Sequence, residues 1–347
     1  MAYTTIKKPS DHFNTVTTTG GAKSITGVGF QPDWIWSKRR DSTSDHHVND
    51  AVRGASKLIY TNATTAEQTN ANFLTSFDSD GFTTGSAYWS SSANIVAWNW
   101  KAGTGQGSSN TDGSINTTYT SVNTTAGFSI SKYVGTGSNA TIGHGLGAVP
   151  QVVIARNITD TEQWTTYHAG VDVTAPEDYH LRLNSQDGKI DEASVWNDTA
   201  PTSSVFSVGS SGAPNGSGDN HIAYCFAEKQ GFSKFGSYAG NGNTDGTFIY
   251  TGFKPAFLIV KNVSHNSFGA SNWMLYDNKR DPDNQMGDYL YPNNNNAGAT
   301  NSNGMDFLSN GIKMRNNFGD ANYNNETYIY MAFAEEPLVG DNPATAR

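Results

Sequence analysis

The sequence predicts an all-β protein built from three tandem β-sandwich repeats, jelly-roll-like and roughly a hundred residues each. Three observations lead there. One order of motifs occurs three times along the chain. Apolar runs are short, four to eight residues, and are bounded by Gly, Asn and Asp, as strands are. Helix signals are almost absent, with only residues 50–58 offering a turn or two.

The first repeat spans residues 1–102, after a polar lead-in. Gly29-Phe30-Gln31-Pro32 precedes the strand Trp34-Ile35-Trp36, whose alternation puts both indoles on one face. Phe77-Asp78-Ser79-Asp80-Gly81-Phe82 reads as a hairpin in which Asp-Gly supplies the turn. Val96-Ala97-Trp98-Asn99-Trp100 closes the unit. Residues 103–126 read as a Gly/Ser/Thr-rich linker, flexible at first, with residues 115–122 able to lie as a strand along a neighbouring sheet.

The second repeat, residues 127–230, carries Val149-Pro150-Gln151-Val152-Val153-Ile154, Trp164 and the closing run Ile222-Ala223-Tyr224-Cys225-Phe226. The third, residues 231–337, carries Phe253-Lys254-Pro255-Ala256-Phe257-Leu258-Ile259, Trp273, Asn310-Gly311 and Tyr328-Ile329-Tyr330-Met331-Ala332-Phe333. Residues 338–347 form a tail. Pro32, Pro150 and Pro255 are expected at equivalent strand starts, and Trp100, Phe226 and Phe333 on equivalent buried closing strands.

Composition narrows the function classes. Charged residues are 15% of the 347, and the net charge is −9. A surface built from Asn, Ser, Thr and Gly, with acidic excess, argues against nucleic acid, which needs a basic footprint. The one basic cluster, Lys38-Arg39-Arg40, reads as a solvated strand end. No apolar run approaches the roughly 20 residues of a membrane helix, and the first residues lack the apolar core of a Sec-type leader. The single Cys225 sits in an apolar run and reads as a buried thiol.

Catalytic and metal patterns are weak. His46-His47 lacks a third ligand nearby and reads as a surface loop. Asp78-x-Asp80-Gly81 begins like a calcium loop but lacks its closing Glu. Gly143-His144-Gly145-Leu146-Gly147 reads as a turn, and Asp277 with Arg280 as a pair pinning a strand end. Asp187, Asp191 and Glu192 are carboxylates near one another in sequence, with no cleft assigned. No catalytic residue, metal ligand or cofactor is therefore expected.

Candidate ligand-binding residues are those outside the core pattern. Tyr88, Trp89 and Phe268 are rings that an exposed platform could use. His265 sits in a loop peculiar to the third repeat, and Asn293, Asn294, Asn295 and Asn296 in another, running to residue 303. Amide side chains offer paired donors and acceptors suited to sugar hydroxyls, although Asn runs equally suit a plain solvent-facing loop.

The repeated motifs have a relative. Gly-Phe-x-Pro before an apolar strand and Lys, Phe77-x-x-Asp80-Gly81-Phe82, Val96-Ala97-Trp98-Asn99-Trp100-Lys101-Ala102-Gly103, Ala200-Pro201-Thr202-Ser203-Ser204-Val205-Phe206, Ile222-Ala223-Tyr224-Cys225-Phe226-Ala227-Glu228-Lys229 and Tyr328-Ile329-Tyr330-Met331-Ala332-Phe333-Ala334-Glu335 resemble a repeated β-rich domain of marine tailed-phage virion structural and tail-fibre proteins. The resemblance covers nearly the whole chain. It implies a non-enzymatic virion surface protein, assembled in a host cytoplasm and exposed on the particle, that mediates host attachment. The implied partners are other virion proteins, a host-surface glycan and, as a homo-oligomer, further copies of the chain; nucleic acid and membrane insertion are not implied. The alternatives are a purely architectural capsid-decoration or tail component, and a polysaccharide depolymerase.

Overall fold

The computed structural model describes residues 3–264 and 269–344, without the side chains at 302 and 303. It is nearly all β, with antiparallel sheets and, among the described residues, two one-turn α-helices, Ala193–Trp196 and Gly212–Asn215. Three larger sheets hold most of the described strands. In the first the order is Phe13–Thr19, Asn94–Trp100, Trp34–Arg39, His46–Asp50, Lys57–Tyr60, Gln68–Thr69. The second runs Tyr119–Asn123, Phe128–Val134, Asn220–Phe226, Val152–Asn157, Trp164–His168, Tyr179–Arg182, Ile190–Asp191. The third runs Ser233–Ala239, Thr327–Pro337, Phe253–Asn262, Trp273–Asp277. In each, an opening strand pairs with the closing strand, which pairs with the strand at or after the proline.

The registers match as well. Trp34 lies opposite Trp100 on one side and Asp50 on the other. Val152 lies likewise between Phe226 and His168, and Phe257 between Phe333 and Asp277. Pro32 and Pro150 precede their strands, whereas Pro255 falls inside its own, where the pairing slips.

Alternation along these strands sends side chains to two different cores, because neighbours on a strand point to opposite faces. Trp34, Trp36, Trp98 and Trp100 join Ile154, Trp164, Tyr224 and Phe226, and Phe257, Ile259, Trp273 and Phe333, in one cluster shared by all three larger sheets. Rings from different sheets touch there: Trp34 stacks on Tyr224 at 4.8 Å, and Trp100 meets Phe333 edge-on at 5.6 Å. The intervening residues face outward into three separate cores. Ile35 and Ala97 pack with Phe82, Val153 and Ala223 with Phe206, and Leu258 and Val260 with Ile312. Small sheets cover those outer faces, formed by Lys23–Thr26 with Gly81–Thr84 and Leu74–Asp78, by Ala140–Gly143 with Val205–Val208, and by four strands between Phe248 and Met314.

Several sequence expectations change in detail. The Asp80-Gly81 hairpin exists, but Asp78 pairs with Gly81, so the turn residues are Ser79 and Asp80. Gly81 is needed because a β-carbon would collide with the Ile25 carbonyl on the neighbouring strand, and Gly311 stands in the same relation to Ile249. Residues 50–58 form no helix, since the Asp50 carboxylate takes the Arg53 amide at 2.8 Å and folds the chain into a turn. Within 103–126, Tyr119–Asn123 pairs with Phe128–Val134, Ile115 bridges Ile142, and Asp33 accepts the amides of Ala102, Thr104 and Gly105. Those contacts hold much of the expected linker to the sheets.

Buried polar contacts join the sheets at one register position. Asp50, His168 and Asp277 occupy it. The Tyr224 hydroxyl donates to Asp50 at 2.7 Å, the Trp98 indole N–H donates to Asp277 at 2.9 Å, and His168 Nε2 donates to the Tyr330 carbonyl at 3.1 Å. The second sheet thus holds the first, the first holds the third, and the third accepts from the second. Asp50 and Asp277 are each clamped by an arginine three residues on, Arg53 and Arg280, at 2.5 Å. The expected Asp277–Arg280 pair is therefore present, as a buried clamp.

Burial pushes the His168 imidazole down to about 4. An unfolded chain with an ordinary histidine near 6.5 binds the proton first as pH falls. The neutral-His168 contribution is thus complete above about pH 6.5 and is lost as pH falls toward 4, on the order of 3 kcal/mol in all. We expect the denaturant midpoint to fall over that window, and a His168→Gln protein to have a shallower pH slope there. An identical slope in both proteins would contradict this.

Candidate functional site

Four residues past Trp34, Val152 and Phe257, each of the three strands carries a buried cation: Lys38, Arg156 and Lys261. Burial pushes the Lys38 ammonium down to about 8, Arg156 to about 10 and Lys261 to about 7. A cation out of water must find acceptors, and all three find backbone carbonyls at strand ends and in loops. Lys38 Nζ donates to Arg39 O at 2.6 Å and is 3.5 Å from Ser42 O. Arg156 reaches across to the first sheet's loop, to Thr64 O and, at 2.7 Å, Thr65 O. Lys261 reaches the second sheet's loop at Gln186 O, 3.0 Å, and its own at Ser271 O. Lys38 is thus fully buried and not the solvated strand end expected: the chain turns back after Arg39 and puts the Ser42 carbonyl over its ammonium, while Arg39 and Arg40 are half-buried.

These anchored loops converge where the sheets meet. The 292–298 segment lies over the first sheet: Thr61 Oγ1 donates to Pro292 O at 2.8 Å, Ser44 N to Asn295 O at 2.8 Å, and Gly298 N to Arg40 O at 2.8 Å. Trp273 Nε1 donates to Arg182 O at 3.0 Å and Trp164 Nε1 to Tyr60 O at 2.8 Å, so core indoles hold the strand ends that lead into these loops.

Between the second and third sheets these loops enclose an open basin of about 530 Å³. Its centre is Asn272, whose side-chain oxygen accepts from Gln186 Nε2 and Asn293 Nδ2, both at 2.9 Å, with Asn294 Nδ2 at 3.5 Å. Asn184 donates to Gln163, which also lines the basin. Arg182 and Asp187, 3.5 Å apart and both partly exposed, are its charged pair. The amides are oriented by one another before any ligand arrives, and the partly exposed groups remain open to hydroxyls.

The sequence-derived candidates separate. Asn293 and Asn294 line the basin, with Asn293 buried and also accepting the Trp273 amide at 2.9 Å. Asn295 and Asn296 are exposed beside it. Tyr88 is a correction: it is fully buried with Phe73 and Phe82, since a run that looks irregular in sequence lies under the outer sheet. Trp89 is half-buried, its indole donating to Ser44 Oγ at 2.7 Å. His265 and Phe268 lie outside the described residues. His46 is also not on a surface loop. It is buried on a strand and accepts from Trp36 Nε1 at 3.1 Å, so its ring serves the core.

Arg182, Asn184, Gln186 and Asn272 were missed as site residues. A signal was present: Arg182-Leu183-Asn184-Ser185-Gln186-Asp187 is a polar run holding the amides Asn184 and Gln186, and Pro32, Pro150 and Pro255 each stand six residues before a basic residue. A separate groove of about 430 Å³ lies by the chain termini, floored by Phe13, Ala256 and Ala334. Its walls mix Lys7 and Lys8 with Glu336 and Asp341, so no one ligand chemistry follows from it.

Residues 8–337 match a family model described as a domain of unknown function, DUF7483. The chain belongs to that family. Comparison with curated proteins found no match.

Replacing Lys261 by Met leaves Gln186 O and Ser271 O without their shared donor. We expect amide exchange to quicken at residues 184–187 and 271–272 while residues 64–65, held by Arg156, keep their protection. Unchanged exchange at 184–187 would show that the lysine does not anchor the basin.

Proposed function

We propose that this chain is a non-enzymatic surface protein of a tailed-phage virion that holds host-surface glycan in the amide basin between its second and third sheets. We read it further as three tandem repeats, supported by the shared strand order and register. The resemblance of its motifs to phage virion domains supports the setting. The observation that carries the ligand class is the basin: Asn272, Gln186, Asn293 and Asn294 share one hydrogen-bond network beside Arg182 and Asp187.

Hydroxyls need donors and acceptors presented together in fixed positions, and mutually bonded amides provide them with little ordering left to do. Glycoside hydrolysis commonly needs two carboxyl groups flanking the bond, and Asp187 is the carboxylate lining the basin. That supports binding over depolymerisation. Other virion proteins and further copies of the chain are the proposed structural partners.

Gln186 and Asp187 are exposed, so changing both to Ala perturbs the basin and spares the core. Particles carrying that variant are expected to assemble in normal yield and adsorb to host cells several-fold more slowly. Normal adsorption by such particles would refute a role for the basin in attachment.

A further inference from the structure

The far end of the 292–298 segment borders a second pocket, about 310 Å³, between the first sheet and the outer four-stranded sheet that covers the third. Its charged groups can be taken in turn. Asp41 pairs with Arg39 at 2.7 Å and accepts the Asn94 amide at 3.0 Å. Arg280 is spent on Asp277. Asp288 accepts from Thr300 Oγ1 at 2.6 Å. Arg40 differs: among the described residues it forms no ion pair, and its Nε is buried without a hydrogen-bond partner. Its backbone is fixed at both ends of the peptide unit, N–H to Asn94 O and C=O from Gly298 N. Arg40 lines the pocket and is only half-buried, so its guanidinium is a cation open to a ligand, with no carboxylate of the described residues paired to it.

We propose that Arg40 receives the carboxylate of an acidic sugar whose neighbouring units occupy the amide basin. The ligand class is thereby an acidic glycan. This rests on the glycan reading above and deepens it. Continuity of the chain supports one tract. Asn294 lines the basin and Gly298 lines the Arg40 pocket, separated by no more than roughly 14 Å of extended chain. A short oligosaccharide spans that distance. Tyr289 lines the same pocket, while its ring packs against Tyr276 and Phe318 in the outer core beneath.

Carboxylate is favoured over phosphate by the surroundings. Asp41 and Asp288 line the pocket with Arg40; they repel a dianion about twice as strongly as a monoanion, and a planar carboxylate matches the guanidinium fork.

The test uses the purified full chain and calorimetric titration with two probes of equal length, an oligogalacturonate and a neutral oligoglucan, with glucose 6-phosphate as competitor. The oligogalacturonate is expected to bind at least roughly tenfold more tightly at low salt, with the preference shrinking as salt rises. Arg40→Gln should remove that preference and leave neutral-oligomer binding intact, and Arg40→Lys should keep part of it. An unchanged thermal midpoint establishes that each variant is folded. Equal affinity for both probes, or full preference in Arg40→Gln, overturns the acidic-glycan assignment and leaves the basin reading standing. Displacement by glucose 6-phosphate in preference to galacturonate overturns the carboxylate assignment. Binding of neither oligomer overturns this assignment together with the glycan reading.

Discussion

Everything in this molecule depends on three sheets turning one face each into the same aromatic core. Two-sided burial explains why strands such as Val152–Asn157 and Phe253–Asn262 read as nearly continuous apolar runs. One set of side chains serves the common core, and the alternate set serves an outer sandwich. Aromatic rings fill the centre with large area per residue and with edge and stacked contacts. The close packing also dictates what the few polar groups there must do. Asp50, Asp277 and His168 stand where one sheet meets the next, and each is satisfied by a group from another sheet. Breaking one such contact strands a buried polar group, which costs more than the bond itself gains.

The same logic runs outward to the loops. Lys38, Arg156 and Lys261 share a register position at which the apolar stripe ends. Their burial is costly, and backbone carbonyls offset that cost, so each cation fixes a loop conformation. The loops so fixed carry Arg40, Gln186 and Asn272. A basic residue in a strand therefore prepares a surface some distance from its own backbone. The chain of causes runs from the common core, through buried cations, to oriented amides.

Much of this was legible in the sequence. The proline, the closing aromatic and the alternating indoles named the strands and their faces, because those signals are local and periodic. What faced the indoles was not legible. Alternation says that Trp34 and Trp36 point the same way, but not that Tyr224 lies against Trp34. Tyr88 and Trp89 looked free because they break the pattern, and a covering sheet formed from Leu74–Asp78 and Gly81–Thr84 removes Tyr88 from solvent. Lys38 looked solvated because charge usually is. Its burial depends on the chain turning back after Arg39, which puts the Ser42 carbonyl over its ammonium. Asn293 and Asn294 were visible as an amide run, whereas Asn272 and Gln186 lie on loops far apart in the chain and meet only through folding.

The central claim is that the larger sheets stand or fall together because they share one core. Differential scanning calorimetry of the full chain tests it most directly. A common core predicts a single endotherm whose van't Hoff and calorimetric enthalpies agree, with a ratio of about one. Three resolved endotherms, or a van't Hoff enthalpy near a third of the calorimetric value, would contradict the account and make each sheet an independently folding unit.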